Sequence, residues 1–284
     1  MRRQEEKLWV ALVLFIAIGT AIPAESKAQE ISVRDLVRKH LSAAKSETGQ
    51  KKLHLTGLPT DVSNVVALEY TVLLRREGRD EAVDPKEYQF KIGDQIRVRI
   101  EPLNDLYIYI FHEGASGKHT SLLPEQGSQE KPVLVTRGKT VVLPNDDSVF
   151  EFVPPAGEEK LIVVATEKPV EDLDALTGAV FAQPGEQLND EEQAARAKLR
   201  ARVEARLQSI RRRQQKVVQT RGLLTPETLK KAGDKIARSA DKRVQLEEPP
   251  HDGKKSTFFV SGTVGNSRQN DVLLTIPLVS VTGG

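Results

Sequence analysis

Two histidines lie close enough along the chain to act together. His112 and His119 flank a short loop that runs from Gly114 to Gly117. Two imidazoles that meet across such a loop can bind a divalent metal, or one of them can act as a general base. The nearest carboxylate, Glu113, is adjacent to His112, and in a strand its side chain points to the opposite face. The histidines therefore support a hydrolytic or metal-dependent site only as an alternative to a non-catalytic role.

Other catalytic signatures are missing from the sequence. It contains no cysteine, which excludes disulfides, thiol nucleophiles and cysteine metal ligands. No Gly-x-Ser-x-Gly elbow and no Gly-rich loop followed by Lys-Ser or Lys-Thr occurs. The adjacent acids Glu158-Glu159 match no calcium-binding loop. We therefore predict a protein that is not an enzyme, with no catalytic residue, no metal site and no cofactor.

The densest charge lies between Arg196 and Lys216, where nine basic residues accompany one acid, Glu204. Such a run is either a solvated face or a surface for an anionic partner, here an envelope protein or an anionic polymer. Aromatic residues that would stack on bases are absent from it, so nucleic acid is not an expected partner. The residues expected to contact an anionic partner are Arg200, Arg202, Arg206, Arg211, Arg212, Arg213 and Lys216.

Helical patterns account for this run and for two further segments. Residues 189–218 contain neither Gly nor Pro and begin with a good capping residue, Asn189. A second helix is predicted from Thr225, with Pro226 in its first turn, and the two helices are expected to form a helical hairpin. An amphipathic helix predicted over 32–47 is expected to pack on the main domain, with Ser32 in a capping box.

Strand patterns dominate the rest of the chain. Residues 95–101 alternate apolar and polar or charged side chains, which is typical of a half-buried strand. Residues 106–111 are apolar on both faces and suit a central strand. Turn signals such as Gly93-Asp94 separate the segments, with Gly supplying a positive φ and Asp binding nearby backbone. Closely spaced short strands over 65–176 predict an antiparallel β-sandwich.

Two more strands are predicted near the end of the sequence, over 257–264 and 271–281, with Pro277 at an edge or a bulge. Two strands cannot bury themselves, so we expect them to return to the sandwich. The fold class is therefore mainly β with an α insertion. The expected organisation beside the sandwich is an N-terminal helix and linker (29–64), a basic helical insertion (177–246) and C-terminal strands (247–284).

The first residues are typical of a Sec-type signal peptide. A charged start is followed by an apolar run over 8–23, and Ser26-Lys27-Ala28 offers small residues for cleavage after Ala28. The run is shorter than the roughly 20 residues of a membrane-spanning helix. We therefore expect residues 1–28 to be a signal peptide and the protein to be periplasmic or secreted. The alternative is an uncleaved anchor, which would be the protein's only association with the membrane.

Several segments occur in an order that is similar to a known family. They are Leu68–Leu74, Phe90–Arg97, Tyr107–Phe111, Leu122-Leu123-Pro124 and Phe150-Glu151-Phe152, followed by Pro155, Gly157 and Leu161. The order resembles the bacterial domain of unknown function 4384 over about 65–176 and more loosely over 216–280. Leu106 and Leu123 depart from the family pattern, which usually has Gly and an aromatic residue there. The resemblance implies a β-rich module of exported or envelope proteins, with no established activity.

These observations favour an exported, non-catalytic interaction or binding module at the bacterial cell envelope. The alternative is an envelope hydrolase or metal-dependent enzyme that uses His112 and His119.

Overall fold

The computed structural model describes residues 32–43, 52–56, 58, 61–116, 119–124, 134–145, 147–170, 189–223, 225–239, 242–251, 253–264 and 272–282. The predicted signal peptide (1–28) lies outside the described residues. Strand is the main secondary structure of the described residues, as the sequence predicts.

Three helices and fourteen strands make up the described elements. The helices are α1 (Val33–Ala43), α2 (Asp190–Gln214) and α3 (Pro226–Arg238). The strands are β1 (Val62–Arg76), β2 (Arg79–Val83), β3 (Phe90–Lys91), β4 (Gln95–Pro102), β5 (Leu106–Glu113), β6 (His119–Leu123), β7 (Leu134–Val135), β8 (Val141–Leu143), β9 (Phe150–Glu151), β10 (Glu158–Thr166), β11 (Val218–Arg221), β12 (Arg243–Glu248), β13 (Thr257–Val264) and β14 (Val272–Val281).

The strands form two sheets. The first sheet has the order β11-β12-β13-β1-β4-β8, with β2 also paired to β1 and β9 to β4. The second sheet has the order β3-β14-β10-β5-β6, with β7 also paired to β5. Most pairs are antiparallel, but β11–β12 and β14–β3 are parallel. Both sheets are therefore mixed, which corrects the antiparallel part of the sandwich prediction.

The first of two hydrophobic core clusters combines side chains from both sheets. In β1 and β4, alternate residues are buried in it, and register places Tyr70 opposite Ile100. The second sheet contributes the matching face of β5, β10 and β14, with Ile110 opposite Val163. The central position predicted for 106–111 is confirmed, because β5 pairs with β10 on one side and with β6 on the other.

Helices α1 and α3 cover the other face of the first sheet. Val37 of α1 and Ile236 of α3 are buried in a second cluster with Phe258 of β13. The predicted packing of the N-terminal helix on the β domain is thus confirmed. Its predicted capping box is wrong: the Ser32 carbonyl accepts the first helical hydrogen bonds, while the Ser32 hydroxyl has no partner among the described atoms.

The segment predicted as a helical hairpin is helix–strand–helix. The N-cap of α2 is formed as predicted, with Asn189 Oδ1 accepting from the Glu192 N–H at 2.8 Å. Thr225 caps α3 and Pro226 follows in its first turn, also as predicted. Between them, β11 pairs in parallel with β12 at the edge of the first sheet. The hairpin prediction is corrected because a short strand separates the two helices.

Among the described helices, none is both long enough and apolar enough to span a bilayer.

Candidate binding sites

The basic residues singled out by the sequence lie on α2 and the turn that follows it. Arg202, Arg212 and Lys216 have exposed side chains, and Arg206 is half-buried. Lys198, one turn before Arg202, is also exposed. The side chains of the other three predicted contact residues lie outside the described part of the structure; these are Arg200, Arg211 and Arg213.

One face of α2 borders a groove. Ala205, Gln208, Ser209, Arg212 and Lys216 line a space of about 450 Å³. Their spacing places them on one side of the helix. The small side chains lie toward the middle of α2, and the two cations lie at its C-terminal end, where the helix dipole is negative and favours positive charge. The groove therefore combines open space with a positive end.

A different cluster of charges fixes α1 to the first sheet. Arg34 Nε lies 3.6 Å from Glu248 Oε1 and 3.9 Å from Glu69 Oε1. Arg38 Nη2 donates to Glu69 Oε1 at 2.6 Å, and Ser256 Oγ donates to Glu69 Oε2 at 2.7 Å. Arg34, Glu69 and Glu248 are all buried. These opposite charges pair with one another and hold α1 against the first sheet, so the cluster is structural.

The environment of Glu69 favours its ionised form. Burial by itself raises the pKa of this carboxyl group, but hydrogen bonds from Arg38 and Ser256 and the charge of Arg34 outweigh it. The net result is a pKa of Glu69 below its ordinary value.

A second buried carboxylate, Glu247 of β12, gathers three donors. Tyr70 Oη donates to Glu247 Oε1 at 3.1 Å, and Arg221 Nε donates to the same oxygen at 3.1 Å. Lys86 Nζ donates to Glu247 Oε2 at 2.6 Å. Arg221 also pairs with Asp84. Burial and the charge of Glu247 raise the pKa of Tyr70 well above its ordinary value.

This cluster borders a cleft of about 310 Å³, which we call the β11–β14 cleft. Residues 219–221 of β11 line one side and residues 273–275 of β14 line the other. Lys86, Gln245, Glu247 and Phe259 complete its described lining. The cleft is thus bordered by strands of both sheets, and sequence reasoning did not identify it because its walls are far apart along the chain.

The histidines are not arranged as the sequence suggested. In the β5–β6 register, Thr120 is opposite His112, and His119 is opposite Glu113. The partner of His112 is instead Glu159, whose Oε2 lies 2.6 Å from His112 Nε2. The sequence did not reveal this pair, because the two residues are 47 positions apart and meet only through β5–β10 pairing. Within the described residues, no group of three His, Asp or Glu side chains is arranged to hold a metal ion.

Comparison with known families agrees with the resemblance seen in the sequence. Residues 89–169 match a family described as a domain of unknown function (DUF4384). The resemblance to the bacterial domain of unknown function 4384 is therefore confirmed over this range. Comparisons with curated proteins and with solved structures found no match.

The DUF4384 range comprises β3 to β10 and divides between the two sheets. Its β4 pairs with β1, and its β10 pairs with β14, so strands on both sides of the family range complete the sheets. His112 and Glu159 lie within the DUF4384 range, whereas α2 and all described residues of the β11–β14 cleft lie outside it. The candidate binding features are therefore elements of this chain that the family match does not include.

Proposed function

We propose that this chain is an exported, non-catalytic binding module, and that the basic surface of α2 contacts an anionic partner. The observation that carries the proposal is the exposure of Lys198, Arg202, Arg212 and Lys216. None of these four side chains forms an ion pair with a carboxylate in the described part of the chain. Arg34 and Arg221, by contrast, are paired with acids across elements. Exposed cations that have no carboxylate partner among the described residues are available to an anionic surface.

The scaffold that we propose for this surface is a β-sandwich formed by the two sheets. The core cluster shared by β1, β4, β5, β10 and β14 supports it. Sheets that pack face to face bury alternate residues of each strand in this way. The basic helix then lies against the second sheet, since α2 contacts β14.

The partner that we propose is an envelope protein or an anionic polymer. The predicted signal peptide supports a location in the periplasm or outside the cell, where nucleic acid is not an expected ligand. Cell envelopes present anionic polymers and acidic protein surfaces, and exposed arginine and lysine side chains bind both through charge-assisted hydrogen bonds.

Capture from an envelope extract tests the proposal. The α2 charge variant carries Gln in place of Lys198, Arg202, Arg212 and Lys216. The control charge variant carries Gln in place of four exposed lysines elsewhere, Lys230, Lys231, Lys235 and Lys255. Deleting the insertion is unsuitable, because α3 packs in the second cluster and β11 pairs with β12. We expect a partner captured by the wild type and the control variant to be lost from the α2 variant and at higher salt. Equal capture by all three would refute the proposal.

A second candidate function rests on His112 and Glu159. A carboxylate that contacts one ring nitrogen orients the imidazole, and the other ring nitrogen can then act as a general base or a metal ligand. This candidate is the hydrolase or metal-dependent alternative, with Glu159 in the place first considered for His119. The test compares wild type with His112→Gln for Zn²⁺ binding by calorimetry and for hydrolysis of p-nitrophenyl acetate. The candidate fails if His112→Gln changes neither measurement.

A further inference from the structure

The edge of β14 that faces away from β10 presents main-chain groups that no described strand pairs with. The Ser280 N–H donates to the Gly157 carbonyl of the β10 segment at 2.9 Å. Because antiparallel main-chain groups alternate in direction, the even-numbered residues of β14 bond toward β10 and the odd-numbered residues point outward. On the outward side, β3 pairs only at Ser280 and Val281. Within the described residues, Leu273 and Thr275 have no strand beside them.

The β11–β14 cleft lies against this edge. Leu273, Leu274 and Thr275 all line it, although successive side chains of a strand point to opposite faces. Because the cleft touches three consecutive residues of β14, it reaches both faces of the strand, and we place it at the outward edge. An added strand would sit about 4.8 Å from β14, whereas a helix is about 10–12 Å across with its side chains. Of the two, only an extended chain can pair with the outward N–H and C=O groups of β14.

The first sheet covers this space with polar side chains. Gln219 Nε2 donates to Gln245 Oε1 at 3.2 Å, and Arg221 pairs with Glu247 beside it. The corresponding face of β1 and β4 is apolar and is buried in the core. Polar residues begin where the first sheet extends past β14. This change in polarity indicates a position for a strand with polar side chains rather than for core residues.

Among the residues that line the cleft, Lys86 and Arg221 are positive and Glu247 is negative. Arg221 also pairs with Asp84 and lies 3.8 Å from Glu87, both outside the lining. Lys86 and Arg221 are each 27% exposed in their side chains, whereas the Glu247 side chain is only 10% exposed and already accepts from three donors. Ammonium and guanidinium groups carry more N–H donors than these contacts use. A carboxylate is the complementary group, since it accepts charge-assisted hydrogen bonds from both cations.

We propose that the β11–β14 cleft binds an extended peptide of a partner protein, which joins the second sheet beside β14 and places an acidic side chain against Lys86 and Arg221. Main-chain hydrogen bonds to Leu273 and Thr275 supply affinity, and the acidic side chain supplies specificity. Pro277, which points outward on the same edge, lacks an N–H and limits the added strand to one end of β14.

Selection from a random peptide display library tests the proposal, with wild-type protein as bait and the Thr275→Pro variant for subtraction. Thr275→Pro removes an outward N–H and leaves the bonds to β10 in place, as Pro277 does naturally. We expect enriched peptides to contain an acidic residue and to bind Thr275→Pro at least about tenfold more weakly. Lys86→Gln should weaken the binding of an enriched peptide about tenfold. A version of that peptide with Gln in place of its acidic residue should bind Lys86→Gln and wild type equally well.

A cooperative thermal unfolding transition for each variant shows that it is folded. If Thr275→Pro does not fold, the comparison of wild type with Lys86→Gln still tests the proposal. The proposal is overturned if no peptide is enriched by wild type over the variants, or if enriched peptides bind both variants as well as wild type. It is also overturned if wild type is a dimer that Thr275→Pro converts to a monomer, since a second copy would then occupy the edge. The α2 charge variant should bind the enriched peptides normally, so this test is independent of the proposed function.

Discussion

Tyr70 Oη and Glu247 Oε1 lie 3.1 Å apart in the buried interior and link the centre of β1 to β12. The two strands are not neighbours, because β13 lies between them in the first sheet. The same carboxylate accepts hydrogen bonds from Lys86 and Arg221. The Tyr70–Glu247 contact therefore connects the core of the DUF4384-containing fold with the charged wall of the β11–β14 cleft.

Loss of the Tyr70 hydroxyl should weaken the fold. Tyr70→Phe keeps the ring and removes one hydrogen bond to a buried carboxylate, for which we expect a loss of about 1.5–3 kcal/mol in the free energy of unfolding. Tyr88→Phe is the matched control, since the Tyr88 hydroxyl accepts from Arg76 in an exposed setting. Urea unfolding measures both. Equal losses of free energy of unfolding in the two variants would show that the buried contact stabilises the fold no more than the exposed one.

Alkaline pH should act through the same residue. The pKa of Tyr70 is raised in the folded state, so its contribution to stability is complete below about pH 10, the ordinary tyrosine pKa. That contribution is lost as the pH rises above this value toward the folded-state pKa. We expect the free energy of unfolding of wild type to fall more steeply than that of Tyr70→Phe above about pH 10. Parallel pH profiles would contradict the assignment.

Glu69 should confer the opposite dependence at acidic pH. Its pKa is lowered in the folded state, so its contribution to stability is present above about pH 4.3, the ordinary glutamate pKa, and is lost as the pH falls through the folded-state pKa. Glu69→Gln should cost about 3 kcal/mol at neutral pH and progressively less at acidic pH. Glu81→Gln, at an exposed position of β2, serves as the control. A difference in the free energy of unfolding between wild type and Glu69→Gln that stays constant at all pH values would refute this prediction.

Gly262 allows two strands to approach closely. A Cβ atom at this position would lie 2.0 Å from Val62 Cγ1. We expect Gly262→Ala to cost about 1–3 kcal/mol through overpacking. Adding Val62→Ala removes the opposing methyl groups, so the double variant should be more stable than the sum of the two single losses predicts. Additive losses in urea unfolding would place the strain elsewhere.

Local sequence patterns predicted much of the fold because they reflect local physics. Gly93 has a φ of +88°, and Asp94 Oδ2 accepts from the Lys91 N–H at 2.9 Å, so the predicted turn is confirmed. Pro277 was predicted at an edge or a bulge; no described strand pairs with it on the side away from β10, although β3 pairs further along β14 at Ser280 and Val281. Both features depend on a residue's own backbone and its immediate neighbours.

Features that depend on distant pairing were not predicted. The strand β11 has only four residues between two helices, and its pairing with β12 is not visible in its own sequence. The His112–Glu159 contact and the β11–β14 cleft likewise join residues that only the sheet topology brings together. The sequence did identify the basic segment, because charge density is a local property, but the exposure of its side chains required the structure.

The most direct test of the central claim is a titration of a protein that begins at residue 29 with a defined anionic polymer, dextran sulfate. Wild type, the α2 charge variant and the control charge variant are compared at low and moderate salt, and both variants lose four positive charges. We predict that the control variant binds like wild type, that the α2 variant binds at least about tenfold more weakly, and that salt narrows the difference. Equal weakening of the two variants would show that only net charge matters and would contradict a binding surface on α2.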